Sequence, residues 1–215
     1  MAKKRKKQER KDAALSFESV FDFRGRGPFE KMEFFDNTNP IILELGCGVG
    51  VYTNELALKN RDTNYIGIDK KAERIWRAAK NSQQRKNINT RFIIGDIDLL
   101  DQWVGPKSIS EIWITFPDPH PREKMAKKRL TSPKFLGVYK QILKNGGVVH
   151  LKTDDEDLFN YTIDMMLQNQ GKIISAIANV YQNKNILQEL TYKTLFEKKW
   201  LEQGKEIFYC KMEIN

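Results

Sequence analysis

Two kinds of block alternate along most of this chain. Short apolar runs at Ile41-Ile42-Leu43-Glu44-Leu45, Asn64-Tyr65-Ile66-Gly67-Ile68-Asp69, Arg91-Phe92-Ile93-Ile94-Gly95-Asp96, Glu111 to Phe116 and Val148 to Thr153 predict five buried strands. Between them, apolar residues recur at helical spacing. Helices are expected over Val51 to Leu58, over residues 71–85 with Ile75, Trp76 and Ala79 on the inner face, and briefly around Leu99, Leu100 and Trp103. Ser132-Pro133 pairs a capping residue with proline at the first helical position, so a fourth helix starts there. It carries Phe135, Leu136, Tyr139, Ile142 and Leu143 and stops at Asn145-Gly146-Gly147. Asp154 to Asp157 put negative charge on the first turn of the next helix, where the macrodipole favours it, and Gly171 ends that helix. Ile173 to Val180 and Glu206 to Met212 read as two late strands, with a short amphipathic segment, Thr194 to Gln203, between them. Strands alternating with helices imply an α/β fold: a Rossmann-like, doubly wound, mostly parallel sheet with a late antiparallel strand pair at one edge.

Four successive strands end in acids, at Glu44, Asp69, Asp96 and Asp118. Open α/β sheets bind ligands beyond the carboxyl ends of their strands. The first loop, Glu44-Leu45-Gly46-Cys47-Gly48-Val49-Gly50, lies at such a place, and Gly46 and Gly48 let the backbone approach a ligand closely. A dinucleotide site wants GxGxxG so that a pyrophosphate can rest on the helix N-terminus. Here residue 51 is valine, and Glu44 would repel a pyrophosphate. The pattern suits a cationic, amino-bearing ligand such as S-adenosylmethionine (AdoMet), with Asp69 on the ribose hydroxyls and Asp96 near the adenine. An aspartate at a strand end often serves only as a helix cap; four acids over one rim are harder to read that way.

The strand ending near Phe116 runs into Pro117-Asp118-Pro119-His120-Pro121, one carboxylate framed by three prolines. Arg122, Lys124, Lys127, Lys128 and Arg129 follow within eight positions. Such a cationic loop would neutralise phosphates, giving affinity and salt dependence but no base specificity. Charge over the whole chain agrees: 215 residues carry a formal net charge of +9. That excess favours a polyanionic partner and says nothing of fold. Residues 1–14 hold seven of the Lys and Arg residues and read as a disordered basic arm, with 15–215 as a single domain. Phe17 to Phe35 is a lid or a docking segment. Cys47 and Cys210 stand far apart with no Cys/His cluster, which argues against structural zinc and a disulfide scaffold. No apolar run is long enough to span a membrane, so a cytoplasmic place is expected. His150 reads as core, and His120 as structural or a stacking surface.

Amino-group methylases carry a (D/N)PP(Y/F) tetrapeptide in the acceptor loop, and Phe116-Pro117-Asp118-Pro119-His120 does not match it. Four segments instead resemble the bacterial tRNA (guanine-N7)-methyltransferase family of the TrmB type. They are Glu44-Leu45-Gly46-Cys47-Gly48, Phe116 to Pro119 with the basic loop to Arg129-Leu130, Lys152-Thr153-Asp154, and Thr194-Leu195-Phe196-Glu197. The resemblance implies a class I methyltransferase acting on guanine 46 of the tRNA variable loop with AdoMet. Monomer and weak homodimer are both open, and no metal is expected. It implies that Glu44, Gly46, Gly48, Asp69, Asp96 and Asp118 line the cofactor side. Asp118 and Asp154 are then the catalytic acids, Arg122, Asp154 and Thr194 to Glu197 contact the substrate, and Lys124, Lys127, Lys128 and Arg129 touch RNA. The family's usual DPW reads Asp118-Pro119-His120 here, and its usual lysine is Arg122. Two local alternatives stand beside this: Asp154 as the cap of its helix, and Thr194 as the cap of the 195–203 turn.

Overall fold

The structure, a computed structural model, describes residues 9–10, 12–24, 34–169, 171–184 and 186–214. The chain divides into two compact units, Met1–Gly105 and Pro106–Asn215.

In the first unit four parallel strands lie in the order β1-β4-β3-β2: β1 (Val20–Asp22), β2 (Ile41–Leu45), β3 (Asn64–Asp69) and β4 (Thr90–Ile94). Helices α1 (Val51–Lys59), α2 (Ala72–Gln84) and α3 (Leu100–Trp103) connect or follow them. The β2 and β3 boundaries match the apolar runs. β4 stops two residues before Asp96, because Asp96 accepts the amide of Asp98 at 3.2 Å and caps a 3-10 turn over Ile97–Leu99.

Strand β1 has no counterpart among the apolar runs. It lies in the Phe-rich stretch, and its register with β4 runs Val20↔Phe92 to Asp22↔Ile94. Val20 and Phe23 are buried, and Phe23 stacks on Trp103 with centroids 5.2 Å apart. The described part of that stretch is therefore an edge strand and core; residues 25–33 lie outside the described residues. Of the basic arm, residues 1–8 and 11 also lie outside them. Ala14 is buried against α2, and Arg10 sits 5.2 Å over the Trp76 ring, with Lys80 at 5.0 Å. Trp76 is accordingly half-buried at the edge of the α2 face, while Ile75 and Ala79 are fully inside.

In the second unit the strand order is β5-β6-β8-β7: β5 (Ile109–Thr115), β6 (Leu143–Thr153), β7 (Lys172–Ile177) and β8 (Phe208–Glu213). β5 and β6 are parallel, and β8 runs antiparallel to both β6 and β7, which is the expected late antiparallel pair. Helices α4 (Pro133–Ile142), α5 (Glu156–Gln168) and α6 (Leu195–Glu202) accompany them.

Leu143 belongs to β6 and not to the preceding helix. It pairs with Ile109, and the register then jumps to Glu111↔Val148. Residues 144–147 bulge from the strand there, with Gly146 at φ +74. At the head of α5 the cap is Asp155, which accepts the Leu158 amide at 2.7 Å. Asp154, one residue earlier, does not cap the helix.

His150 is core, as expected. It stacks on Trp113 at 3.9 Å, and its ring nitrogens meet Tyr209 Oη at 2.9 Å and Glu111 Oε2 at 3.1 Å. Burial lowers its pKa below the ordinary 6.5, against the pull of Glu111.

Candidate active site

In the first unit the glycine loop joins β2 to α1. Gly46, Gly48 and Gly50 all adopt positive φ, at +73, +58 and +67. A Cβ on Gly46 or Gly48 would meet nothing within 4 Å, whereas one on Gly50 would fall 2.6 Å from Ala78 Cβ. Two of the glycines thus leave an open cradle, and the third lets α1 pack on α2. Glu44 is buried, and its Oε2 accepts both the amide (3.0 Å) and the hydroxyl of Thr53. Thr53 lies in the first turn of α1, so this carboxylate anchors the helix N-terminus beside the cradle. Asp69, also buried, accepts the Lys71 amide at 2.7 Å and pairs with Arg74 at 3.1 Å. Asp96 is exposed. Burial, then the charges of Glu44 and Asp69, push the Cys47 thiol up, so it stays protonated.

In the second unit β5 and β6 deliver the two candidate catalytic acids from neighbouring strand ends. Thr115 pairs with Lys152, and the Phe116 amide donates to the Lys152 carbonyl at 2.8 Å. Asp118 lies three residues past the end of β5, and Asp154 one residue past the end of β6. The Asp118 side chain is 75% exposed, and its Oδ1 accepts the His120 amide at 3.3 Å. Phe116 and His120 both hold positive φ, +49 and +45, on either side of it. The His120 ring stands 3.9 Å from Asp118 Oδ1, beyond hydrogen-bond distance. Asp154 Oδ2 takes Lys205 Nζ at 2.6 Å. Lys205 reaches it because Gly204, at φ +74, ends α6 and folds the lysine back over Trp200, 3.9 Å from the ring.

The cationic loop forms a 3-10 turn over Glu123–Lys128. Arg122, Lys124, Lys127 and Lys128 are exposed on it, as a phosphate-binding role requires. Arg129 departs from the expected role. It is buried, and its guanidinium donates to the carbonyls of Pro119 (3.2 Å) and His120 (3.3 and 3.2 Å). Its Nε and Nη2 donors are committed to these carbonyls.

The Thr194–Glu197 segment also divides. Thr194 caps α6: its hydroxyl accepts the Glu197 amide at 3.1 Å, and Glu197 Oε2 accepts the Thr194 amide at 3.3 Å, a capping box. Glu197 Oε1 takes Tyr181 Oη at 2.7 Å and Lys152 Nζ at 2.6 Å. Glu197 is fully buried, so the structure corrects its expected contact with substrate: the carboxylate holds α6 and is closed to a base. Leu195 and Phe196, 59% and 52% exposed, are the members of the segment that face outward.

Thr53, Lys152, Tyr181 and Lys205 carry roles that the sequence pattern does not assign. A lysine inside an apolar strand, Lys152, is the one available signal among them, since such a charge needs a buried partner. Among the described residues, no group of three or more His, Cys, Asp or Glu is gathered that could hold a metal ion. No helix there is long and apolar enough to cross a membrane.

Solved structures that share this fold include several methyltransferases. The 16S rRNA methyltransferase KamB superposes with a TM-score of 0.63 at 9% identity, covering 82% of this chain and 88% of that one. The 30S ribosomal A1408 methyltransferase from an uncultured bacterium gives 0.58 at 17% identity, covering 82% and 88%. A protein-family model described as "Putative methyltransferase" matches residues 38–210. The tRNA (guanine-N(7)-)-methyltransferase of Christiangramia forsetii is 42% identical over 92% of this chain and 88% of its own length. That of Porphyromonas gingivalis is 41% identical over 89% and 77%, and that of Staphylococcus aureus 32% over 88% and 87%. The chain belongs to the tRNA (guanine-N7)-methyltransferase family.

Proposed function

We propose that this protein transfers the methyl group of AdoMet to N7 of guanine in tRNA, at guanine 46 of the variable loop, as a cytoplasmic enzyme. The observation that carries the activity is 42% identity over nearly the whole chain to a protein of that name. The siting of Asp118 and Asp154 at the ends of paired strands supports it.

The cradle over Gly46 and Gly48 fits AdoMet, because the open space at both Cβ positions lets a ligand lie directly on the backbone. Asp69 and Asp96 are the acceptors for its ribose and adenine. Bound there, AdoMet supplies a methyl group made electrophilic by its sulfonium. Guanine N7 carries a lone pair and no proton, so no general base is needed. The purine becomes positive as it is methylated, and Asp118 stabilises that developing charge by electrostatic preorganisation. Asp154 accepts hydrogen bonds from guanine N1–H and the 2-amino group, a donor pair that adenine lacks. A site built for such a pair discriminates strongly against a base without it. Leu195 and Phe196 supply apolar contact beside it, and the Thr194 hydroxyl remains a substrate contact. Arg122, Lys124, Lys127 and Lys128 hold phosphates.

Incubation with labelled AdoMet and a complete pool of unmodified tRNA, followed by nucleoside analysis, tests the reading. 7-Methylguanosine mapped to position 46 is expected. Its absence across the whole pool would sink the proposal, and methyladenosine or N2-methylguanosine as product would move the enzyme to amine chemistry.

A further inference from the structure

Arg129 stands among five basic residues but behaves unlike the exposed four. Its relative exposure is 8%. Its guanidinium bridges two consecutive carbonyls, those of Pro119 and His120, which follow Asp118 directly. The same group lies over Tyr161 of α5, 4.2 Å from the ring centroid. Its own amide donates to the Ala126 carbonyl at 3.0 Å, closing the 3-10 turn that carries Lys124, Lys127 and Lys128. Beyond it, the Ser132 hydroxyl donates to the Lys127 carbonyl at 3.2 Å and Tyr139 Oη to the Leu130 carbonyl at 2.8 Å. One residue, through its guanidinium and its amide, therefore ties the acid-bearing turn to the phosphate-binding turn, and its guanidinium rests on α5.

The backbone gives the tie a purpose. His120, at φ +45, occupies the left-handed region, which is unfavourable for a residue that carries a side chain. Such a conformation persists only where its surroundings over-determine it. The Arg129 fork on the carbonyls of residues 119 and 120 supplies that determination. A planar guanidinium lies flat against a ring while the fixed fork of donors at its edge meets the carbonyls; a compact ammonium has neither the plane nor the fork.

We propose that Arg129 is a positioning residue for methyl transfer, holding the Asp118-Pro119-His120 turn in its reactive form and coupling it to the RNA-binding turn. This rests on the function proposed above. Its signature is a loss of turnover without a loss of RNA affinity.

The test compares wild type, Arg129→Lys, Arg129→Ala and a Lys127→Ala/Lys128→Ala control. For each, kcat, KM for tRNA, AdoMet affinity by calorimetry and hydrogen exchange across residues 118–122 are measured. In Arg129→Lys, kcat is expected to fall about 10- to 100-fold. KM for tRNA and AdoMet affinity should stay near wild type, and exchange at 118–122 should rise. Methylguanidinium should restore part of the turnover of Arg129→Ala, and methylammonium should not. The control should show the reverse split, a raised KM with kcat kept. Unchanged exchange at 118–122, or an Arg129→Lys enzyme that loses only tRNA affinity, would overturn the inference. If wild type makes a different methylated nucleoside, the proposed substrate fails, and the same comparison on that product still decides the role of Arg129.

Discussion

Lys152 Nζ lies 2.6 Å from Glu197 Oε1, and neither side chain has any exposure to solvent. Lys152 is near the end of β6, two residues before Asp154, and Glu197 is in the first turn of α6, next to Phe196. The pair thus joins a strand end to the helix start that presents Leu195 and Phe196. Lys152 also donates to the carbonyls of Leu190 (2.8 Å) and Tyr192 (3.3 Å), so its remaining protons are used. Burial pulls the Lys152 pKa down from 10.5, and Glu197 pulls it back up.

Removing one member leaves a buried charge without its partner. Lys152→Met is expected to cost about 3–5 kcal/mol of stability. The double change Lys152→Met/Glu197→Leu, which removes both charges, should recover part of that loss. Urea unfolding checks both; a single variant within about 1 kcal/mol of wild type would mean that water reaches the pair.

Acid should destabilise the protein in two stages. The His150 pKa is lowered by burial, so below 6.5 an unfolded chain takes up the proton first, and stability falls until the folded value is passed. The Glu111 pKa is lowered from 4.5, first by its hydrogen bond to His150, so its contribution is present above 4.5 and lost as pH falls through the folded value. His150→Asn should abolish the first stage and shrink the second. Urea midpoints measured between about pH 7 and about pH 2 would show it. An unchanged pH profile in His150→Asn would refute the assignment.

Gly48→Ala and Gly50→Ala separate the two uses of the loop. Both place a side chain at positive φ, at about 1–2 kcal/mol. Gly50→Ala also drives a methyl to 2.6 Å from Ala78 Cβ and should lose clearly more stability. The Gly48→Ala methyl meets open space, so this variant should fold and bind AdoMet more weakly. Thermal melts and calorimetry read the two effects; equal melting losses with intact AdoMet binding would contradict the cradle.

Asp118→Asn and Asp154→Asn should lower turnover about 100-fold or more with little change in tRNA affinity. Neutralising Lys127 and Lys128 should do the opposite. For every phosphate that is no longer neutralised, the slope of log K against log salt should flatten by about 0.7–0.9. Near-normal turnover in both aspartate variants would show that the reacting centre lies elsewhere.

Much of the strand and helix order is legible because periodicity reports burial directly. β2 and β3 match their apolar runs to the residue, and α4 starts at Pro133 after Ser132, although the Ser132 hydroxyl bonds the Lys127 carbonyl and not the helix amides. β1 is hidden because three residues at a sheet edge, embedded among phenylalanines, have no period to read. Leu143 reads as helical because its apolar side chain continues the α4 stripe, while its pairing with Ile109 is a long-range fact. The capping box at Thr194 and Glu197 is half legible: T-x-x-E is a local signal, but nothing local shows that Lys152 and Tyr181 close around that glutamate.

By itself the sequence determined the strands other than β1, where acids leave them, and which glycines can turn a loop, because all three depend on residues within one turn or one strand. Only the tertiary structure decided what each charge is for. Arg129 and Lys128 are adjacent and alike in charge, yet one is buried on two carbonyls and the other faces solvent. Thr194 to Glu197 reads as one substrate-binding motif, yet its glutamate is sealed by a lysine 45 residues earlier while its phenylalanine stays outside. A side chain's burial and its partners are set by segments far away in the chain, and no local pattern encodes them.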